Sequence, residues 1–243
     1  MVRYVNDNTG RFKERPHYDP KELDRECESI INKLLHERHD EVKFPVLTDD
    51  IEVLIEQHAS LDMYADLESQ YGPDVEGVTE FFPGQKPVVK ISRRLSEDER
   101  FANRLRTTMT HEFGHVHFHG YLWDMKFENP SLFSKFRSEN VIVCKRDSIL
   151  SASKADWMEW QAGYVCSAIL APASHVRKLI GQFFEDHGIY GSISLKDAKT
   201  PMLIDLVSAT YQISKEAAKV RLSVLNLISE NNNQSLFDWN AAK

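Results

Sequence analysis

With 243 residues, 42% of them hydrophobic, the chain can fill the core of one sizeable domain and carry a small appendage. Its 37 acidic against 30 basic residues leave a formal net charge of -7, which argues against the broad attraction to phosphates on which general nucleic-acid binders depend. No apolar run approaches the roughly 20 residues that span a bilayer, and the N-terminal MVRYVNDNTGRFKERPHYD lacks the apolar segment of a secretory signal, so a cytoplasmic protein without membrane contact is expected.

Residues 1–18 mix charges with Asn, Gly and Pro and show little periodicity, so they read as a loosely attached arm without chemistry. From Pro20, PKELDRECESIINKLLHERHD sets Leu23, Cys27, Ile30, Ile31, Leu34 and Leu35 at helical spacing against a charged face. A second helix is expected after a Thr48 cap, with Ile51, Leu54 and Ile55 inward. Strand composition follows in 61–67, 77–82 and 87–92, and the Pro83, Gly84, Gln85, Lys86 link suits a hairpin. Val88 to Ser92 is the strand expected to accept an extended peptide along its edge, the alternative being an interior strand.

The stretch from Ser96 to Gly120, SEDERFANRLRTTMTHEFGHVHFHG, reads as one helix, opened by an S-x-x-E box of Ser96 and Glu99 and stopped at Gly120. Phe101, Leu105, Met109, Phe113 and Val116 form an apolar stripe, while His111, His115 and His119 fall on another face. Histidines four residues apart project side by side, so His111 and His115 can bind one Zn²⁺ at about 2.0–2.1 Å each, with Glu112 placed to act on water beside it. Simple helix packing is the competing reading of this H-E-x-x-H pattern. Gly114 costs the helix about 1 kcal/mol relative to alanine, a cost that close approach of another backbone would offset.

Residues 120–152 lack a long periodic run and read as a flap over a cleft or as irregular packing. Cys27, Cys144 and Cys166 are odd in number and show no C-x-x-C spacing, so reduced thiols are expected, Cys144 beside Lys145 and Arg146 included. A zinc hydrolase needs a third protein ligand. Phe118 and Tyr121 stand where a metzincin requires Gly and His, and His119 lies about 6 Å beyond His115 along the axis at ~1.5 Å per residue, which suits a supporting or packing role. Glu159 is the better candidate. It lies in DWMEWQAGYVCSAILAP, a helix expected after a Ser153 cap, with Met158, Ala162, Val165, Ile169 and Leu170 at helical spacing before Pro172. A carboxylate there is either an exposed helix residue or one committed to a cation.

Together these motifs resemble the ImmA/IrrE family of metallo-endopeptidases, in which an H-E-x-G-H helix is followed by one of the form E-x-x-A-N-x-F-A-x-x-L-L-M-P. Glu159, Ala162, Leu170 and Pro172 match the second motif, and Thr110 and His119 match around the first; Gly163, Val165, Cys166, Ile169 and Ala171 depart. The likeness covers Val88 to Ile228, where the run beginning at Arg221 looks like the family's closing R-L-x-x-L-x-L-I. It implies an α+β, zincin-like fold: an active-site helix on a small, mostly antiparallel sheet, then a helix-turn-helix-like C-terminal segment. The corresponding parts are an arm (1–18), a metallopeptidase domain (19–190), a helical segment (191–230) and a polar tail (231–243). The resemblance further implies Zn²⁺, with Mn²⁺ as an alternative, held by His111, His115 and Glu159, and Glu112 as the catalytic base. The implied substrate is a protein, a cognate helix-turn-helix repressor whose cleavage relieves repression in a stress response or on a mobile element. Two alternatives stand beside it: a DNA- or protein-binding regulator with a structural metal, and a toxin-type protease acting on a host protein. Leu203 to Tyr211 and Lys215 to Leu227, joined at Gln212 to Ser214, read on their own as a helix-turn-helix, with Lys215, Lys219 and Arg221 near any phosphates. Without Asn, Gln or clustered Arg at the start of its second helix, base reading is not expected. Tyr121, Arg146 and Tyr164 are candidates for stabilising an oxyanion.

Overall fold

The computed structural model describes residues 3–128, 141–145 and 156–230. A hairpin of β1 (Arg3–Asn6) and β2 (Glu14–His17) precedes α1 (Pro20–His39), α2 (Thr48–Glu56), β3 (Ser60–Ala65), α3 (Leu67–Tyr71), β4 (Val75–Glu80) and β5 (Val88–Ser92). The chain continues through α4 (Arg93–Ser96), a 3₁₀ turn (Glu99–Phe101), α5 (Ala102–Glu128), β6 (Val141–Lys145), α6 (Trp157–Leu170) and α7 (Ala173–His187). The short strand β7 (Ile193–Ser194), α8 (Thr200–Tyr211), α9 (Lys215–Val224) and β8 (Ile228–Ser229) complete it. Among the described residues no helix is long and apolar enough to cross a membrane.

The architecture is mixed α/β, built on a mixed sheet in the order β3-β5-β4-β6. β3 runs parallel to β5, while β4 is antiparallel to both β5 and β6. Val88 to Ser92 is therefore an interior strand, hydrogen-bonded on both sides, and has no free edge for a peptide; among the described residues the edges are β3 and β6. Gly77 lies opposite Ile91 and Cys144, and Thr79 lies opposite Val89 and Ile142. Two residues apart on one strand, Gly77 and Thr79 share a face of the sheet, the face α5 packs against. Arg104 of α5 fastens the two layers by pairing with the fully buried Glu76 of β4.

The central helix begins later and ends later than its sequence suggests. Ser96 closes α4, its hydroxyl buried without a hydrogen-bond partner, and Asp98 instead caps the 3₁₀ turn by accepting from the Arg100 N–H at 3.0 Å. Helix α5 then runs through Gly120 to Glu128, because Leu122 and Trp123 continue its buried side against Phe12 and Phe81. Burial against tertiary partners outweighs a single glycine's tendency to stop a helix. At α1 the helix starts at Pro20 as its spacing suggests, and a capping box the sequence reading did not single out holds it: Asp19 accepts from Lys21 N–H, and Glu22 reaches back to Asp19 N–H. At α2, Thr48 is the first helical residue, not the cap, and Asp50 accepts from Leu47 N–H.

The N-terminal arm is tightly docked. Phe12 is 1% exposed, edge-on to Trp123 and Trp157, and Asp7 anchors the turn by accepting from Thr9, Phe12 and the Trp157 indole N–H. One aromatic anchor and one carboxylate hub supply what a charged, aperiodic segment lacks. The main core joins α1, α2, β5, α5, α6, α7, α8 and α9, so the C-terminal helices share it. Ser214 caps α9 by accepting from Ala217 N–H, as its position after Ile213 suggests. Ser153, Arg146, much of the 120–152 stretch and the 231–243 tail lie outside the described residues.

Candidate metal centre

Helices α5 and α6 cross at Gly114, where a methyl group would stand 3.0 Å from the Ala162 Cα and 3.3 Å from the Val165 Cβ. The missing side chain lets the two backbones approach, and that approach carries Glu159, in the first turn of α6, to the paired histidines. His111 Nε2 lies 3.2 Å from Glu159 Oε2, His115 Nε2 lies 3.3 Å from Glu159 Oε1, and the two Nε2 atoms are 3.0 Å apart. One ligand atom from each of the three residues falls within 4.8 Å of the others, a spacing that could hold a metal ion. The structure thus brings together all three residues singled out as ligands.

The electrostatics suit a cation. Burial opposes ionisation of Glu159, but the charge of His115 and hydrogen bonds from both rings outweigh it and hold the carboxyl well below the usual carboxylate range. Burial also works against a charged His115, and Glu159 overcomes it, raising that ring's proton affinity. Two ring nitrogens and a carboxylate face one another at 3.0–3.3 Å, so a proton or a metal must stand where their lone pairs converge. The N₂O donor set fits Zn²⁺.

Glu112 lies beside this group and is fully buried. Thr79 donates its hydroxyl to Glu112 Oε2 at 2.5 Å, while Oε1 is buried without a hydrogen-bond partner. Gly77 completes the cradle, since a methyl there would stand 2.8 Å from Glu112 Cδ. Burial pushes the Glu112 carboxyl up, against the pull of His115 and His111. Cys144 of β6, with His111 and Glu112, forms a second close group, and burial raises its thiol well above the ordinary value. The Glu112 carboxylate, close to the thiol, adds to that rise.

His119 neither joins the triad nor merely packs. Its Nδ1 is 3.1 Å from His115 Nδ1 and its Nε2 is 3.0 Å from Gln161 Oε1, while Gln161 Nε2 donates to the Pro16 carbonyl at 3.2 Å. Burial and the neighbouring His115 push His119 well down. Sequence reasoning missed Thr79, Gly77, Gln161 and Pro16; only Gly77, a glycine inside a strand, carried a signal of close approach.

The other candidates lie elsewhere. Tyr164 donates to Asp24 at 2.9 Å and lies against Arg221, in the scaffold; Tyr121 accepts from the Tyr4 hydroxyl at 3.1 Å. Two surface grooves meet at His117 and Tyr121, one bounded by His58 and Gln85 and one by Tyr18 and Arg25, and neither is lined by the triad. No known family model matches the chain, and no curated protein matches it.

Proposed function

We propose that this chain is a zinc-dependent endopeptidase with a zincin-like site, of the ImmA/IrrE kind its motifs resemble. The observation that carries the reading is the convergence of His111, His115 and Glu159 from two separate helices, beside a buried carboxylate with one unpaired oxygen. Bound there, Zn²⁺ supplies Lewis-acid polarisation of a scissile carbonyl and lowers the pKa of water. Glu159 and the Nε2 lone pairs of His111 and His115 would hold the ion, and one net negative charge among these donors would leave it electrophilic. Glu112, anchored at Oε2 by Thr79, keeps Oε1 free to take a proton from water and pass it to the leaving amine. Its burial raises its proton affinity, the direction that suits a group that both accepts and returns a proton.

His111, Glu112 and His115 are wholly buried and Glu159 is 8% exposed. The same burial favours a second reading, a structural metal in a protein-binding regulator. Its DNA-binding form loses support, because Arg221 is fully buried, paired with Asp24 and donating to the Ala171 carbonyl, and Lys215 is paired with Asp205. The test is co-expression with the neighbouring gene product, wild type against Glu112→Gln, with fragments read by mass spectrometry and zinc by elemental analysis. A fragment in the wild type alone, at equal zinc content, supports the peptidase. A fragment formed at the wild-type rate by Glu112→Gln, or none in either, sinks it.

A further inference from the structure

The Pro16 carbonyl begins a chain of hydrogen bonds that ends at the proposed metal ligands. A proline carbonyl only accepts, so the Gln161 amide must turn its NH₂ toward it, as it does at 3.2 Å. A reversed amide would set two acceptors face to face in a site where Gln161 is 1% exposed, at the cost of a buried unpaired group. Gln161 therefore presents Oε1 to His119 Nε2 at 3.0 Å, and that nitrogen must carry the ring's proton. The His119 ring is wholly buried and hydrogen-bonded to no carboxylate, which keeps it neutral, so its Nδ1 is a bare acceptor. At 3.1 Å it faces His115 Nδ1, which must then be the donor. One nitrogen of His115 remains. Its Nε2, 3.0 Å from His111 Nε2 and 3.3 Å from Glu159 Oε1, is left with its lone pair directed at the place where the donors meet.

The geometry points to Gln161 and His119 as positioning residues that transmit a backbone carbonyl of the N-terminal hairpin to His115, fixing Nε2 as the nitrogen it offers a cation. The inference rests on the proposed metal site and deepens it: docking of the hairpin and affinity for the metal are coupled. Because coupling is reciprocal, filling the site also strengthens the hairpin's hold. The Asp7, Phe12 and Arg11 contacts to Trp157 and Asp156 place that hairpin on the same turn of α6 that carries Glu159.

Two measurements test this with zinc alone. In metal-free protein, taken up in pH until the His115 ring has lost its charge, two-bond nitrogen–proton correlations should place the His119 proton on Nε2 and the remaining His115 proton on Nδ1. A proton on His119 Nδ1, or on His115 Nε2, overturns the relay without any variant. Competition against a chromophoric chelator should then find zinc bound about 10- to 100-fold more weakly by Gln161→Met, a near-isosteric change, at unchanged circular dichroism. Equal affinity in that variant also overturns the relay. A wild-type chain that binds no zinc refutes the metal-site reading instead, and the tautomers still decide the relay.

Discussion

Gly77→Ala is the sharpest test of the cradle that β4 builds around Glu112. The added methyl would lie 2.8 Å from Glu112 Cδ and 2.9 Å from Cγ, and closer still to Oε1, where ordinary contact begins at 3.4 Å. The strand resists yielding, since Gly77 is paired to Ile91 on one side and Cys144 on the other. The carboxylate must retreat, and the Thr79 hydrogen bond breaks or stretches with it. Overpacking of this kind costs about 1–3 kcal/mol. Restricting the unfolded chain returns roughly 0.4–1 kcal/mol, so the melting temperature falls modestly. A displacement approaching ~1 Å at a reacting group costs on the order of 100-fold in turnover. Zinc content should hold, because the three atoms nearest that methyl all belong to Glu112. The assay sets cleavage of the co-expressed substrate beside melting temperature and zinc stoichiometry. Full turnover with unchanged melting would show that Glu112 does not act from this place, and the base assignment would fall with the cradle.

Three further outcomes follow from the same geometry. Gly114→Ala puts a methyl 3.0 Å from the Ala162 backbone; it should raise helix propensity by about 1 kcal/mol yet weaken zinc binding by pushing Glu159 away, and unchanged affinity in a chelator titration would contradict the crossing described. Arg221→Met leaves Asp24 without its cation in the core and should cost about 3 kcal/mol in urea unfolding, Asp24 being partly exposed, with no change in DNA retention in a gel shift. In the metal-free chain, Glu159 raises the proton affinity of the buried His115. That contribution to stability is complete below the unfolded histidine value of about 6.5 and is lost as pH rises through the higher folded value. Melting temperature should therefore drop toward alkaline pH and flatten in Glu159→Gln, while zinc-loaded protein should show the opposite slope at acid pH, where protons compete for both rings.

The parts of the site legible in the sequence are those that local periodicity dictates. Histidines at 111 and 115 must stand on one helix face because a helix turns once in 3.6 residues, and Gly114 announces a close neighbour because a helix otherwise excludes glycine. The apolar spacing from Leu23 to Leu35 marks α1 for the same local reason. Ser96 with Glu99 spells a helix start, yet Asp98 takes the capping role in a tighter turn, since the path of the chain leaving β5 decides which side chain reaches the free N–H. Glu159 was a candidate on spacing, but whether its carboxylate met the histidines depended on how α6 crosses α5. Thr79, Gln161 and Pro16 lie 33 to 145 residues from their partners, and no local pattern records such contacts. The sequence by itself determined which groups could bind a metal, because ligand chemistry belongs to the residue and helical spacing to the backbone. Only the tertiary structure decided which oxygen of Glu112 is free, which nitrogen of His115 is bare and how deeply both are buried, because a proton's position is set by the group across the contact.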